Sequence, residues 1–557
     1  MVLLRGRHAA TLNYRPSVIR GWPMLATVSS ATLVGVDGHP VSVEVHVSNG
    51  LPGFRVVGLP DMSCRESRDR VRAALLSSGF IWPQRRITVN LAPSGLRKAG
   101  SGLDLAVALG VLAADRQVPA ACLASVAVIG ELGLDGSLRR VPGVLPLVAA
   151  TRTAAVVVPP PCAPEACLVA EGQVRTAPDL RSLVAALRGS AGWPELGSRL
   201  PVAPDCPAPD LAEVRGQPFA RKALEVAAAG GHHLLMVGPA GSGKTMLATR
   251  LPGLLPPLDR DEALEVAKIQ SAAGAEPMAA GLCYRPPFRS PHHSASAVSL
   301  IGGGGARLRP GEVSCAHNGV LFLDELAEFP GAVLDSLRQP LEEGRVVICR
   351  ASASVAFPAR FVLVAAMNAC RCDGDGSPGS CRCSIAARAR YLARVSGPLL
   401  DRFDLRVRVG RPDVADLVRQ VGGRSQEGQE ATAETSAAVG ARVAQARLRA
   451  TGRGARCNAQ LPAPRLDELA PLGAAARRLL ERRLRDGRLS ARGLDRVRRV
   501  ALTVADLAGE APPLSEGHVL LALALRSPGA LGTGGRVSSQ GSGEAALYLP
   551  ENVREVL

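Results

Sequence analysis

Gly238-Pro239-Ala240-Gly241-Ser242-Gly243-Lys244-Thr245 lies between an apolar run, residues 234–237 (LLMV), and a helix-compatible run, residues 246–251 (MLATRL). Strand, glycine-rich loop and helix in that order predict a phosphate cradle. The glycines let backbone N–H groups turn inward on phosphate oxygens, and the following helix N-terminus adds a positive dipole end. Lys244 then neutralises the β and γ phosphates, and the Thr245 hydroxyl takes a Mg²⁺ position. The stretch predicts an open α/β sheet that binds ATP with Mg²⁺. A plain glycine-rich turn would lack the flanking strand and helix.

Two further strand ends carry matching chemistry. Residues 320–325 (VLFLDE) read as a buried strand with two acids at its C-terminal end, the edge at which open α/β sheets bind ligands. Asp324 is expected to hold Mg²⁺, directly or through water. Glu325 is expected to orient and deprotonate the attacking water. Residues 361–366 (FVLVAA) form a third strand ending at Met367-Asn368, where an amide can polarise the water near the γ phosphate. Arg402, within residues 397–404 (GPLLDRFD), is the candidate arginine finger; Arg492, within residues 490–493 (SARG), is the candidate second sensing arginine. Each has a plainer reading as a surface ion-pair partner. A finger delivered by a neighbouring subunit requires a ring with heterologous contacts, a homo-hexamer by expectation.

Bulk properties narrow the class. A chain of 557 residues exceeds a single core. Its 47% hydrophobic and 21% charged content fits globular domains, with only 3% aromatic residues to build the cores. No apolar run reaches the ~20 residues of a membrane-spanning helix, so no membrane partner is expected. The net charge of +17 suits an anionic partner such as DNA. The basic residues are almost all arginine, however, a skew that reads equally as compositional bias. Thirteen cysteines, with a basic first 23 residues that lack an apolar core, indicate a reducing, cytoplasmic setting.

The chain divides by pattern. Residues 1–24 read as an extension, with Met24 a candidate start. Residues 25–190 alternate strands, such as 41–47 (VSVEVHV), with helices, such as 65–76 and 101–114. A proline-rich linker spans 191–210, the ATPase core 211–420 and a polar linker 421–437. A helical unit follows at 438–528, then a loose tail at 529–557.

Several segments are more specific than any phosphate loop: residues 50–61 (GLPGFRVVGLPD), 86–91 (RITVNL), 285–304 (RPPFRSPHHSASAVSLIGGG) and 311–326 (GEVSCAHNGVLFLDEL). On these the chain closely resembles the magnesium-chelatase-like AAA+ ATPases of the YifB/ComM group, over residues 25–528. The resemblance implies a multidomain α/β fold: an N-terminal Lon-protease-like α+β domain, a central P-loop AAA+ domain and a C-terminal helical lid. It implies a hexameric motor whose best understood relatives are DNA helicases that drive branch migration in natural transformation. The alternative is a protein-remodelling or metal-chelatase-type ATPase. Active Lon-like domains pair a serine with a lysine. Here the serine position falls on Gly102, with Ser101 one residue early, and the lysine position falls near Leu145. No lysine occurs between Lys98 and Lys222. The domain is therefore expected to be proteolytically inert, with Ser101 capping a helix.

Cys370-x-Cys372 and Cys381-x-Cys383 admit two readings, a tetrahedral Zn²⁺ site or reduced thiols. Relatives resemble the chain in carrying cysteine pairs there. His292-His293 reads as metal ligands or as a loop near the nucleotide or the pore; adjacency favours the loop. Residues 346–355 (VVICRASASV) read as a hairpin with Arg350 near its tip, suited to a sequence-tolerant grip on a DNA backbone.

Overall fold

The computed structural model describes residues 25–98, 100–195, 209–275, 281–304, 308–350, 353–372, 381–411 and 434–526. The expected extension at 1–24, most of both linkers, the Gly/Asp-rich segment at 373–380 and the tail lie outside the described residues.

The N-terminal unit is built on seven strands. They are β1 (Leu25–Val34), β2 (Asp37–Ser48), β3 (Gly53–Val57), β4 (Arg86–Ala92), β5 (Val126–Val128), β6 (Ala155–Val158) and β7 (Val174–Thr176). The spatial order is β3-β4-β2-β1-β5-β6-β7. β2 alternates as its sequence predicts: Val41, Val43, Val45 and Val47 are buried. Helix α1 (Met62–Ser77) starts at Asp61, whose carboxylate accepts the Cys64 N–H at 2.8 Å. Helix α2 (Asp104–Ala114) is buried along its whole length. It crosses β2 so closely that a Cβ on Gly110 would meet Val45 at 2.5 Å.

α2 begins three residues later than the sequence suggests, and Ser101 does not cap it. Its N-cap is Leu103, with no side-chain cap; the Ser101 hydroxyl bonds Glu131 instead. At the first turn Asp104 is buried against Arg70, which donates from Nε and Nη2 at 2.7 and 3.1 Å. Burial pushes the Asp104 carboxyl up to about 6, and Arg70 opposes the shift.

The central unit contains a five-stranded, all-parallel sheet. Its strands are β8 (Leu234–Val237), β9 (Phe288–Arg289), β12 (Gly319–Leu323), β15 (Phe361–Met367) and β16 (Leu405–Arg408), in the order β9-β12-β15-β8-β16. Two hairpins project from it: β10 (Gly302–Gly303) with β11 (Arg309–Pro310), and β13 (Arg345–Arg350) with β14 (Ala353–Pro358). The second is the hairpin expected from the sequence.

Strand alternation divides this sheet between two cores. Leu235, Val237, Leu321, Leu323, Leu363 and Ala365 join a core that continues into Val144 and Leu147 of the N-terminal unit. Leu234, Met236, Val320, Phe322, Val364 and Ala366 join the other. That second core continues into the C-terminal helices at Ser436–Gly452, Ala491–Ala508 and Glu516–Ala524. One face of the sheet thus belongs to the core that runs on to the N-terminal unit, and the other to the core shared with the C-terminal helices. The chain is a mixed α/β protein with a parallel central sheet and a helical C-terminal region.

Candidate active site

The phosphate loop leaves the C-terminal end of β8. Gly241 and Gly243 hold φ values of +74° and +87°, a region that strains any other L-residue. At Gly238 a Cβ would lie 1.9 Å from the Val409 carbonyl oxygen, so only glycine fits. The helical run after the loop is short, Lys244–Ala248. Its dipole is correspondingly small, and inward backbone N–H groups are the main anion-binding feature. The Lys244 ammonium sits within the loop, donating to the carbonyls of Gly238 (3.0 Å) and Pro239 (2.7 Å) and to Asn368 Oδ1 (3.2 Å). It also reaches Ser242 Oγ at 3.4 Å.

The parallel register brings the acidic strand to the same edge. Leu323 faces Ala365 and Val237 faces Met367, so the residues after each strand end side by side. Thr245 Oγ1 donates to Asp324 Oδ2 at 2.7 Å. Two hard oxygen donors at that separation, both solvent-accessible, fit a Mg²⁺ ion. Glu325 adopts left-handed backbone angles, φ 52° and ψ 48°, which a non-glycine residue holds at some cost. Its N–H donates to Asp324 Oδ1 at 2.9 Å, and its carboxylate meets His293. Lys244, Thr245, Asp324, Glu325 and Asn368 therefore occupy one sheet edge, with the histidine loop beside them.

Arg402 and Arg492 do not join this group. β8 and β16 pair with Leu234 opposite Leu405 and Val237 opposite Arg408. Arg402 precedes the N-terminal end of β16, about 13 Å down the strands from the chain's own phosphate loop. It is ion-paired with Glu342 of the Arg338–Glu343 helix. Burial holds the Arg402 guanidinium below its ordinary value, as do the positive charges of Arg496, Arg492 and Arg338. The two candidate sensing arginines thus share one basic cluster, away from the loop they were expected to serve.

A buried polar hub that no local motif announced lies behind this cluster. His232 Nδ1 is 3.4 Å from Asp404 Oδ2, and His232 Nε2 is 2.9 Å from Thr503 Oγ1 of the Ala491–Ala508 helix. Asn458 donates to Thr503 Oγ1 (3.1 Å) and Asp506 Oδ2 (2.7 Å). Arg496 Nε reaches Asp404 at 3.4 Å. Burial alone would push the Asp404 carboxyl up; His232, His233 and Arg496 outweigh it and hold it well below the usual range. His233 is the neighbouring pivot: its carbonyl accepts the N–H groups of Asp404 (3.1 Å) and Leu405 (3.0 Å), and its Nδ1 accepts from Leu363 N at 3.0 Å. The only sequence sign was a histidine pair directly before β8.

The four quartet sulfurs lie within 4.8 Å of one another. Cys370–Cys381, Cys372–Cys381 and Cys370–Cys372 approach to 3.1, 3.4 and 3.5 Å. Thiolates on one tetrahedral Zn²⁺ at ~2.3 Å would sit ~3.8 Å apart, so the cluster fits such an ion. Among the described residues, no helix is long and apolar enough to cross a membrane.

Fold and site together define a magnesium-chelatase-like AAA+ ATPase. Residues 210–417 match the family described as magnesium chelatase, subunit ChlI; residues 43–161 match subunit ChlI of Mg-chelatase; residues 433–526 match the ChlI C-terminal family. An uncharacterized protein of Mycobacterium tuberculosis is 46% identical over 91% of this chain and 99% of its own length. The uncharacterized protein YifB of Escherichia coli is 41% identical over 87% of the chain and 93% of its own. The competence protein ComM of Haemophilus influenzae is 42% identical over 90% and 97%. The chain belongs to the YifB/ComM family of magnesium-chelatase-like proteins.

The buried hub gives the fold an acid sensitivity. Burial takes His233 down to about 4 from 6.5. The unfolded chain therefore binds the proton first, and stability falls as pH drops from 6.5 towards 4. Asp404, depressed in the fold, adds a loss only below the ordinary carboxylate range. Between pH 7 and pH 5 His233 contributes a loss of about 2 kcal/mol. In His233→Asn, whose amide oxygen can accept the Leu363 N–H without titrating, that part of the pH dependence disappears. Denaturant midpoints at the two pH values test it; equal pH dependence in both proteins refutes it.

Proposed function

We propose that this chain is an ATP-hydrolysing AAA+ ring motor acting on DNA, a branch-migration helicase of recombination during natural transformation. The observation that carries the reading is the division of the hydrolytic residues. The phosphate-binding and acidic groups share one sheet edge, while Arg402 and Arg492 cluster at the other end of the strands. A site completed by a neighbouring copy, in a homo-hexameric ring, reconciles the two halves.

In this reading Gly238, Pro239, Ala240, Gly241, Ser242, Gly243 and Lys244 hold the triphosphate of the substrate. Lys244 exchanges its loop carbonyls for phosphate oxygens. Thr245 and Asp324 would hold Mg²⁺, which when bound neutralises phosphate charge. Glu325 takes the proton of the attacking water, and Asn368 orients that water from the end of the neighbouring strand. Arg402 of the next copy leaves Glu342 to stabilise charge on the γ phosphate, and Arg492 approaches with it. The paired hairpins supply a DNA contact: Arg345 and Arg350 are exposed on β13, the arrangement a sequence-tolerant phosphate grip needs. The competence role in the name of the Haemophilus relative supports DNA as substrate.

The N-terminal unit then serves as an inert Lon-like scaffold. A Cβ on Gly102 would crowd Val141 at 3.0 Å, Leu145 is fully buried, and the Lys98 ammonium is turned onto the Pro93 carbonyl. None of these offers a serine–lysine pair.

Forked or four-way-junction DNA is expected to stimulate ATP turnover in a way that fades with rising salt, and Lys244→Ala is expected to abolish turnover. Intact ATPase activity without DNA stimulation moves the substrate to a protein partner; wild-type turnover in Lys244→Ala defeats the ATPase assignment.

The quartet of Cys370, Cys372, Cys381 and Cys383 is proposed to hold one structural Zn²⁺, stapling the segment two residues beyond Asn368. Elemental analysis is expected to give one zinc per chain, falling to background in a Cys381→Ser/Cys383→Ser double variant. Active protein purified without metal contradicts the site.

A further inference from the structure

The C-terminal helix Ala474–Arg485 carries charge that neither the fold nor the scheme above uses. Ala476 and Leu480 turn inward to the core that also holds Val519 and Leu521 of the Glu516–Ala524 helix. At about 100° per residue, the opposite side presents Arg478, Arg482 and Arg485 as one stripe, and all three are exposed. Arg477 flanks the stripe, and Arg488 follows it past the turn at Gly487; both are exposed. Glu481, the acid on this face, pairs with Arg485 at 3.2 Å. Arg477, Arg478, Arg482 and Arg488 take part in no ion pair among the described residues.

Arrangement, not abundance, sets these arginines apart. Elsewhere in the same unit an arginine finds an acid: buried Arg498 meets Asp467 at 2.7 Å, and Arg442 reaches Glu434 at 2.7 Å and Glu225 at 2.6 Å. The helix dipole accounts for part of the stripe, because cations near a C-terminus are favoured, and Arg482, Arg483 and Arg485 fall in the last turn. The dipole works against Arg477 and Arg478, which lie towards the positive end, where the first turn holds no acid. Arg478 and Arg482 are also like charges at i and i+4, a destabilising spacing. A row of cations kept against these local costs, with too few acids to neutralise it, fits a polyanion. The row spans about 10 Å along the helix axis, the rise of about three phosphates on one DNA strand.

We propose that this arginine face is a second DNA-backbone surface, separate from the paired hairpins, that binds the phosphates of duplex DNA without reading sequence. The inference rests on the reading that DNA is the substrate. The stripe ends shortly before Ser490, which caps the Ala491–Ala508 helix and so begins the element that carries Arg492 and Arg496. The unit that grips the backbone is therefore also the unit whose charges act on Arg402.

Fluorescence anisotropy of a labelled duplex, titrated with the full-length protein over a salt series, tests this. Arg478→Ala/Arg482→Ala is expected to flatten the plot of log affinity against log salt by about 2 for each chain that engages the duplex, from about 0.9 per phosphate contact. At about 0.1 M salt its affinity falls on the order of tenfold, equally for unrelated sequences. Arg478→Lys/Arg482→Lys, which keeps both charges, retains the wild-type slope. ATP turnover without DNA and the size of the assembly stay at wild-type values in both variants. An unchanged slope in the alanine variant overturns the proposal and leaves the face to an acidic protein. Lost assembly or lost basal turnover overturns it by making the face a contact between copies. A wild-type protein that binds no DNA removes the DNA reading itself, a result distinct from the other two.

Discussion

Strand β15 hydrogen-bonds on both sides, to the acidic strand β12 and to the phosphate-loop strand β8. Its register fixes everything at the sheet edge. With Leu323 opposite Ala365 and Val237 opposite Met367, the residues that follow each strand are neighbours without any loop having to reach across. The same alternation sends one set of side chains towards the N-terminal unit and the other towards the C-terminal helices. A slip by one residue would exchange the two sets and dismantle both cores. Core packing therefore protects the chemical alignment, and neither can drift without the other.

What was legible in the sequence follows from this. The run at 234–237 is a strand to the residue, because four buried apolar residues before a glycine loop leave little choice. The strand before Asp324 and the one before Asn368 were equally clear. Local signals failed where a side chain had a distant partner. Ser101 looked like a cap because serine before an apolar helix is a common start; Glu131, thirty residues on, claims its hydroxyl. His232 is tied to Asp404 and Thr503, 172 and 271 residues away, and no periodicity encodes such a pairing. Arg402 was visible as a cation between two acids, Asp401 and Asp404, yet its partner is Glu342.

The buried hub explains why the basic cluster is held so firmly. Asp404 anchors Arg496, and the Arg526 guanidinium donates to the carbonyls of Phe403 and Asp404 at 2.7 and 3.0 Å. The segment carrying Arg402 is thereby stitched to the C-terminal helices and, through His232 and His233, to the start of the phosphate-loop strand. A movement of the C-terminal unit would be felt at Arg402 and at β8 together. That linkage suits a machine in which one copy's cations respond to another copy's nucleotide.

The central claim is that the hydrolytic site is shared between copies. Its most direct test is a mixing experiment with two variants, each inactive alone: Lys244→Ala and Arg402→Ala. In mixed assemblies some junctions pair an intact Lys244 with an intact Arg402 from the next copy, about a quarter of them for random head-to-tail mixing. ATPase activity well above that of either variant is the predicted result. A mixture that stays at the level of its separate components would contradict the account.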